Sequence, residues 1–375
     1  MRIAQVAPLF ESVPPKRYGG TERIVSYLTE ELVRRGHEVT LFASGDSATS
    51  AELVSCCDEA LRLNARVQDP LPYQIMQLEK VRGRAAEFDV LHFHTDLVHF
   101  PYLRDFAGRA LTTLHGRLDL PDLEPFYRGF GNTPLVSISK AQRLPLAGVT
   151  WAGNVPHGLP RNLLPFQPIS GGDYLAFLGR ISPEKRPDRA IEIAKRAGLK
   201  LKMAAKIDRA DQIYWEQSIR PMIESNPEVE FVGEIDERQK AAFLGNARAL
   251  LFPIDWPEPF GLVMIEAMAC GTPVIAFRCG SVPEVIEDGV SGFIVEDTQQ
   301  AVEAVPHLGE LNRLLVRRAF ERRFTVDAMA RAYLKIYRDL PGVQTGAFAN
   351  RPANGQGLAL EAVRDAISVS SRVAA

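Results

Sequence analysis

The feature that most constrains the fold is an alternation that runs through the chain twice. RIAQVAPLF is an apolar run of strand length, and VPPKRYGG is a Pro/Gly loop. In TERIVSYLTEELVRRG apolar residues fall at 24, 25, 28, 32 and 33, the stripe of an amphipathic helix. Thr21 is the expected N-cap and Gly36 the expected stop. HEVTLFAS then reads as a second strand. Strand, loop, helix and strand within about forty residues make a βαβ unit, which requires a parallel sheet. FDVLHFH, ALTTLHG and LVSIS extend it. After a proline-rich linker, VPHGLPRNLLPFQP, the pattern restarts with DYLAFLGR, the helical PDRAIEIAKRAG, and LKLKMAAK. EVEFVGEI, RALLFPI and TPVIAFRC supply three more strands. The expected fold is α/β: two Rossmann-like, doubly wound parallel-sheet domains facing each other across a cleft. The boundaries read as 1–165, 166–325, a final helix at 326–340, and a flexible tail at 341–375. A chain of 375 residues is long enough for two cores.

Charge and cysteine content then exclude some functions. A net charge of −2 gives no electrostatic case for binding nucleic acid. Cys56, Cys57, Cys270 and Cys279 are too few and too irregularly spaced for a disulfide framework. MRIAQVAPLF lacks the cleavage site of an export signal, and no stretch approaches the ~18 apolar residues of a membrane span. A reduced, cytoplasmic protein is the expectation. VRRAFERRF, residues 316 to 324, carries four arginines and reads as a solvated helix face, with weak peripheral membrane contact as its alternative. His92, His94 and His99 invite a zinc reading, but no further ligand stands at the usual spacing. They are expected instead to line the cleft.

Two loops follow strands in the manner of ligand-binding loops, because open α/β sheets bind at the carboxyl ends of their strands. In YGGTE, Gly19 and Gly20 permit close approach of a ligand to the backbone beside a helix N-terminus. In EPFGLVMIEAMACGTPVIAF, the N–H groups of Gly261, Leu262 and Val263 open a helix and form a seat for phosphate. Glu258 lies in the loop. Glu266 lies inside the apolar helix, where a carboxylate is costly without hydrogen-bond donors. Two adjacent ribose hydroxyls would supply them. The alternative is a salt bridge to a neighbouring strand. GRISPEK adds Arg180 and Lys185, cations able to neutralise a diphosphate.

EPFGLVMIEAMACGTPVIAF is similar to the E-x7-E signature of glycosyltransferase family 4, the retaining nucleotide-sugar enzymes of GT-B fold. YGGTERIVSYLTEELVRRGHEVTLFA resembles the family's first βαβ unit, and FLGRISPEKRPDRAIEIAK its donor-phosphate segment. GSVPEVIEDGVSGFIV resembles the stretch after the second glutamate. The N-terminal PPxxYGGTE pattern looks closest to glycosyltransferases of the avilamycin-biosynthesis type. The resemblance implies that Glu266 holds the ribose hydroxyls and that Glu258 contacts the donor sugar. It places Arg180, Lys185 and the amides of Phe260 to Val263 on the diphosphate, with Lys206 a further contact. The base pocket would fall around Gly233 to Ile235. His115 would face the donor sugar, Gly19 and Gly20 would approach the diphosphate, and the last helix would cross back to the first domain.

The implied reaction is retaining transfer of a hexosyl group from a nucleotide diphosphate sugar, UDP favoured and GDP second, to a carbohydrate, lipid or small-molecule hydroxyl. The sequence has no D-x-D motif, so departure of the diphosphate is expected to rely on the cations and helix dipole, without a metal. A GT-B nucleotide-sugar epimerase and a non-catalytic nucleotide-sugar-binding partner are the competing readings.

Overall fold

The computed structural model describes residues 1–16, 19–106 and 108–343, which form two parallel sheets. The first contains β1 (Arg2–Val6), β2 (Glu38–Ala43), β3 (Glu52–Ser55), β4 (Val90–Phe93), β5 (Ala110–Thr113), β6 (Leu135–Ser137) and β7 (Trp151–Asn154), in the order β3-β2-β1-β4-β5-β6-β7. The second contains β8 (Tyr174–Arg180), β9 (Lys200–Lys206), β10 (Val229–Gly233), β11 (Ala249–Phe252), β12 (Val274–Phe277) and β13 (Gly292–Val295), in the order β10-β9-β8-β11-β12-β13. Chain order reverses beside β1 and β8, so β1/β4 and β8/β11 flank the crevices that a doubly wound sheet opens at its carboxyl edge. The central strands are apolar runs because layers cover both faces; VLHF, ALLF and VIAF are buried throughout.

Five helices position the site: α1 (Gly20–Arg34), α2 (Glu237–Gly245), α3 (Leu262–Cys270), α4 (Arg313–Arg323) and α5 (Val326–Asp339). Helix α1 begins two residues earlier than expected, so Gly19 rather than Thr21 is the N-cap, and the threonine falls in the first turn. Gly36, at φ 81°, does end it. In α5 the residues at 326, 329, 330, 333, 334 and 337 form one buried stripe. That stripe packs with Ile3, Val90, Leu111 and Val136 of the first sheet. Burial of each large apolar side chain there contributes about 1.5–3 kcal/mol. The last helix therefore completes the core of the first domain.

Three expectations need correction. Val343 is buried in that same core and the Gly342 amide donates to the Gly108 carbonyl, so packed chain extends past 341. The remainder of the expected tail, 344–375, lies outside the described residues. Leu159 and Leu164, read as the end of the first domain, pack in the second domain's core beside Phe324 and Ala269. Arg317 of α4 is not solvated. It is 7% exposed and donates to the carbonyls of Arg161 (2.6 Å), Leu164 (3.0 Å) and Ala269, tying the linker to the second domain.

Candidate active site

A cleft of about 920 Å³ lies between the two sheets. Its second-domain wall is built by the turn from β11 into α3. Gly261 takes φ 78°, and a Cβ there would come within 2.8 Å of Met264 Cε and 2.9 Å of Phe252 Cζ, so only glycine fits. The turn brings Phe260, Gly261, Leu262 and Val263 to the cleft wall. First-turn N–H groups of a helix have no intrahelical acceptor, which leaves this helix start open to an anion. Residues Met264 to Cys270 are all buried, so Glu266 enters the core by its place on α3. It is 2% exposed, and its Oε1 accepts from Lys240 Nζ at 2.6 Å. The partner is a helix residue of α2, not a strand residue.

Glu258 is nearly as buried. It forms an ion pair with Lys185 and accepts from Trp256 Nε1 at 3.0 Å. Lys185 Nζ sits 4.9 Å from the centre of the Trp256 ring and 5.9 Å from that of Phe252, so two aromatic faces hold the ammonium. Gly280, at φ 55°, backs this loop. A Cβ there would overlap the Glu258 backbone, and the adjacent Ser281 amide donates to the Glu258 carbonyl at 3.0 Å.

More positive charge stands at the ends of β8 and β9. Their register pairs Arg180 with Lys206, and both line the cleft. Arg180 pairs with Glu184 and lies 3.5 Å from Asp211; Lys206 lies 2.7 Å from Asp208. Gly233 turns the chain at the end of β10 with φ 79°, and Ile235, with Glu234, rather than Gly233 itself reaches the cleft.

The first domain supplies Gly19, Gly20, Arg23 and His115 to the opposite wall. Arg23 forms an ion pair across the cleft with Glu237 of α2, whose Oε2 is 3.6 Å from Lys240 Nζ. Alternating charges thus run from the first domain to Glu266. Burial pushes the His115 pKa down to about 3. Its ring stacks on that of His157 at 5.2 Å, and His157 meets Phe260 edge-on at 5.0 Å. His92, His94 and His99 do not line the cleft. They are buried behind it, His92 on the central strand β4 and His94 and His99 in the segment that follows it, and each is hydrogen-bonded to neighbouring side chains.

Lys240, His157, Trp256 and Arg23 are the site residues that sequence reasoning missed. Lys240 follows a capping box formed by Asp236 and Gln239, a signal for a helix but not for its pairing with a carboxylate 26 positions away.

Both halves match known family profiles: residues 18–145 match Glycosyltransferase Family 4, and residues 165–317 match Glycosyl transferases group 1. The two matches identify the chain as a glycosyltransferase. A phosphatidyl-myo-inositol mannosyltransferase of Mycobacterium leprae is 24% identical over 90% of this chain and 96% of its own length. Alignments to two other relatives, at 30% and 32% identity, span 46% and 39% of those proteins. Among solved structures, AviGT4, a glycosyltransferase involved in avilamycin A biosynthesis, superposes with a TM-score of 0.65 at 23% identity, over 90% of this chain and 97% of that one. Anabaena HepE in complex with UDP and glucose gives 0.69 at 19% identity, over 91% and 100%. These likenesses establish the GT-B fold for this glycosyltransferase. Among the described residues no helix is long and apolar enough to cross a membrane.

Proposed function

We propose that this glycosyltransferase moves a hexosyl group from a nucleotide diphosphate sugar to an acceptor hydroxyl, with retention of configuration and without a metal. One observation carries the reading. Glu258 and Glu266 bracket the start of α3, and Arg180, Lys185 and Lys206 line the same wall. A diphosphate seated on that helix start would meet three cations. A ribose would then fall within reach of Glu266, and a hexose would face Glu258 and His115. The Glu266 carboxylate would exchange Lys240 for the two ribose hydroxyls, which keeps it hydrogen-bonded.

As the glycosidic bond breaks, negative charge grows on the leaving phosphate. Arg180, Lys185 and the α3 dipole would stabilise that charge in place, and one such donor is commonly worth ~10²–10³ in rate. Retention follows if the acceptor attacks the face that the diphosphate leaves, its proton passing to a phosphate oxygen. The Lys185–Glu258 pair holds Glu258 beside the leaving group, where a carboxylate also favours positive charge on the sugar. UDP is the favoured nucleotide because the similar HepE fold holds UDP. GDP stands second. The name of the mycobacterial relative points to a lipid or polyol hydroxyl as acceptor class. The protein is proposed to act in the cytoplasm.

The test is turnover of UDP-glucose, UDP-galactose and GDP-mannose in EDTA, with a panel of polyol, sugar and glycolipid acceptors, and the product anomer read by NMR. Retained configuration with undiminished rate supports the reading. An inverted product, or a rate that returns only with a divalent cation, would overturn it.

A further inference from the structure

Beneath the cleft wall lies a chain of buried polar side chains that the proposed chemistry does not use. Gln5 stands on β1, its register partner His92 on β4, and His94 just past the end of β4. Gln5 is 0% exposed and His94 2%. Gln5 Nε2 donates to the Tyr337 hydroxyl of α5 at 3.2 Å, which leaves its carbonyl oxygen toward His94 Nε2 at 2.7 Å. A carbonyl oxygen only accepts, so His94 carries its proton on Nε2. Burial drives His94 well below the ordinary histidine pKa, so the ring is neutral and its Nδ1 is a lone pair. That Nδ1 lies 2.9 Å from His115 Nε2, which must therefore be the donor. The remaining nitrogen, His115 Nδ1, is buried without a hydrogen-bond partner. His115 belongs to the cleft wall.

The structure assigns to Gln5 and His94 the role of positioning residues that fix the tautomer of His115, so that His115 meets its substrate with an unprotonated Nδ1, an acceptor for a sugar hydroxyl. The ligand group implied is a hydroxyl donor. A carbonyl or a phosphate oxygen, which only accepts, would not be held there. The relay also ties the site to α5, because the Tyr337 hydroxyl accepts from the Gln5 amide and lies 2.8 Å from His92 Nδ1. The other end of the branch, His92 Nε2 to Thr113 Oγ1 at 2.7 Å and Thr113 to Tyr333 at 3.0 Å, returns to the same helix. Two tyrosines of the crossing helix thus anchor the polarity of the network that ends at the cleft.

This inference rests on the proposed donor site only for the identity of the hydroxyl, and its first test needs no substrate. Long-range ¹H–¹⁵N NMR on the histidine-labelled protein, with His115 assigned by loss of its signals in His115→Ala, reads the tautomer directly. A protonated Nε2 and a bare Nδ1 on His115 are expected. A protonated Nδ1 would mean that the network runs the opposite way and would overturn the assignment. The second arm compares His94→Asn, whose amide oxygen can stand where Nδ1 stood, with His94→Phe, which removes the acceptor. UDP binding is measured in both as a check of folding, since UDP has no hexose to reach His115. In donor turnover, His94→Phe is expected to lose about tenfold in kcat, the worth of one hydrogen bond, and His94→Asn to recover most of it. Equal kcat for both variants, with UDP binding intact, would overturn the positioning role. Failure of every nucleotide to bind the wild type would instead count against the donor site and leave the tautomer result standing.

Discussion

Glu266 is the residue on which the reading turns, and the structure shows why it is tolerated. A carboxylate at 2% exposure on an apolar helix needs a donor, and Lys240 supplies one at 2.6 Å. Breaking a buried pair from one side costs ~3–5 kcal/mol, because the remaining charge is left uncompensated. Lys240→Met leaves Glu266, the more enclosed of the two, without its charged donor, so it is expected to cost about 3–5 kcal/mol of stability by chemical denaturation. A saturating nucleoside diphosphate should restore more of the loss in the variant than it adds to the wild type, since ribose hydroxyls replace the missing donor. An unchanged denaturation midpoint would show that the pair carries no weight. Sequence alone identified Glu266, because a charge inside an apolar run is conspicuous. It could not identify Lys240, because the two residues meet only through the packing of α2 on α3.

At the level of elements, the loop that presents Glu258 is held from behind by Gly280. Any side chain there meets the Glu258 backbone, and φ 55° adds strain of ~1–2 kcal/mol for a residue with a Cβ. Gly280→Ala is therefore expected to lower turnover by at least about tenfold while the melting temperature drops only a few degrees. Wild-type turnover would mean that the loop accommodates the change and that Glu258 is not held by it.

The strands show which signals a sequence carries. Central strands such as AFLG in β8 and VIAF in β12 are covered on both faces and read as apolar runs. Strands β3, β7 and β13 are edges of their sheets and escaped notice. ELVS and WAGN have no fully buried residue, so nothing in their composition separates them from loop. The same holds for His92 and His94. Their alternation on a strand was visible, but whether that face met the cleft or α5 depended on a helix more than 230 positions away.

Across the described residues, six histidines (His37, His92, His94, His99, His115 and His157) are held neutral by burial, His37 down to about 4 and His99 and His115 down to about 3. Unfolded, each takes up a proton near its ordinary value of 6.5. Between that pH and the folded values the unfolded chain binds more protons, so stability is lost as pH falls below 6.5, by up to about 1.4 kcal/mol per unit for each group. Glu22 acts in the opposite direction. Burial raises it to about 7, so it contributes stability that is lost as pH rises from 4.5 through 7. With Glu22 set against six histidines, the melting temperature should fall on the order of 5 °C between pH 7 and pH 5.5. A flat profile would mean that the histidines are solvated.

The central claim concerns the donor, and calorimetric titration of UDP, GDP and ADP in EDTA tests it most directly, on the wild type and on Glu266→Ala with folding checked by circular dichroism. One diphosphate, UDP first, is expected to bind clearly tighter than the others, and Glu266→Ala to weaken that one by about ten- to a hundredfold, the worth of hydrogen bonds to a charged group. No binding by any of them to the folded wild type, or equal affinity in the variant, would contradict it.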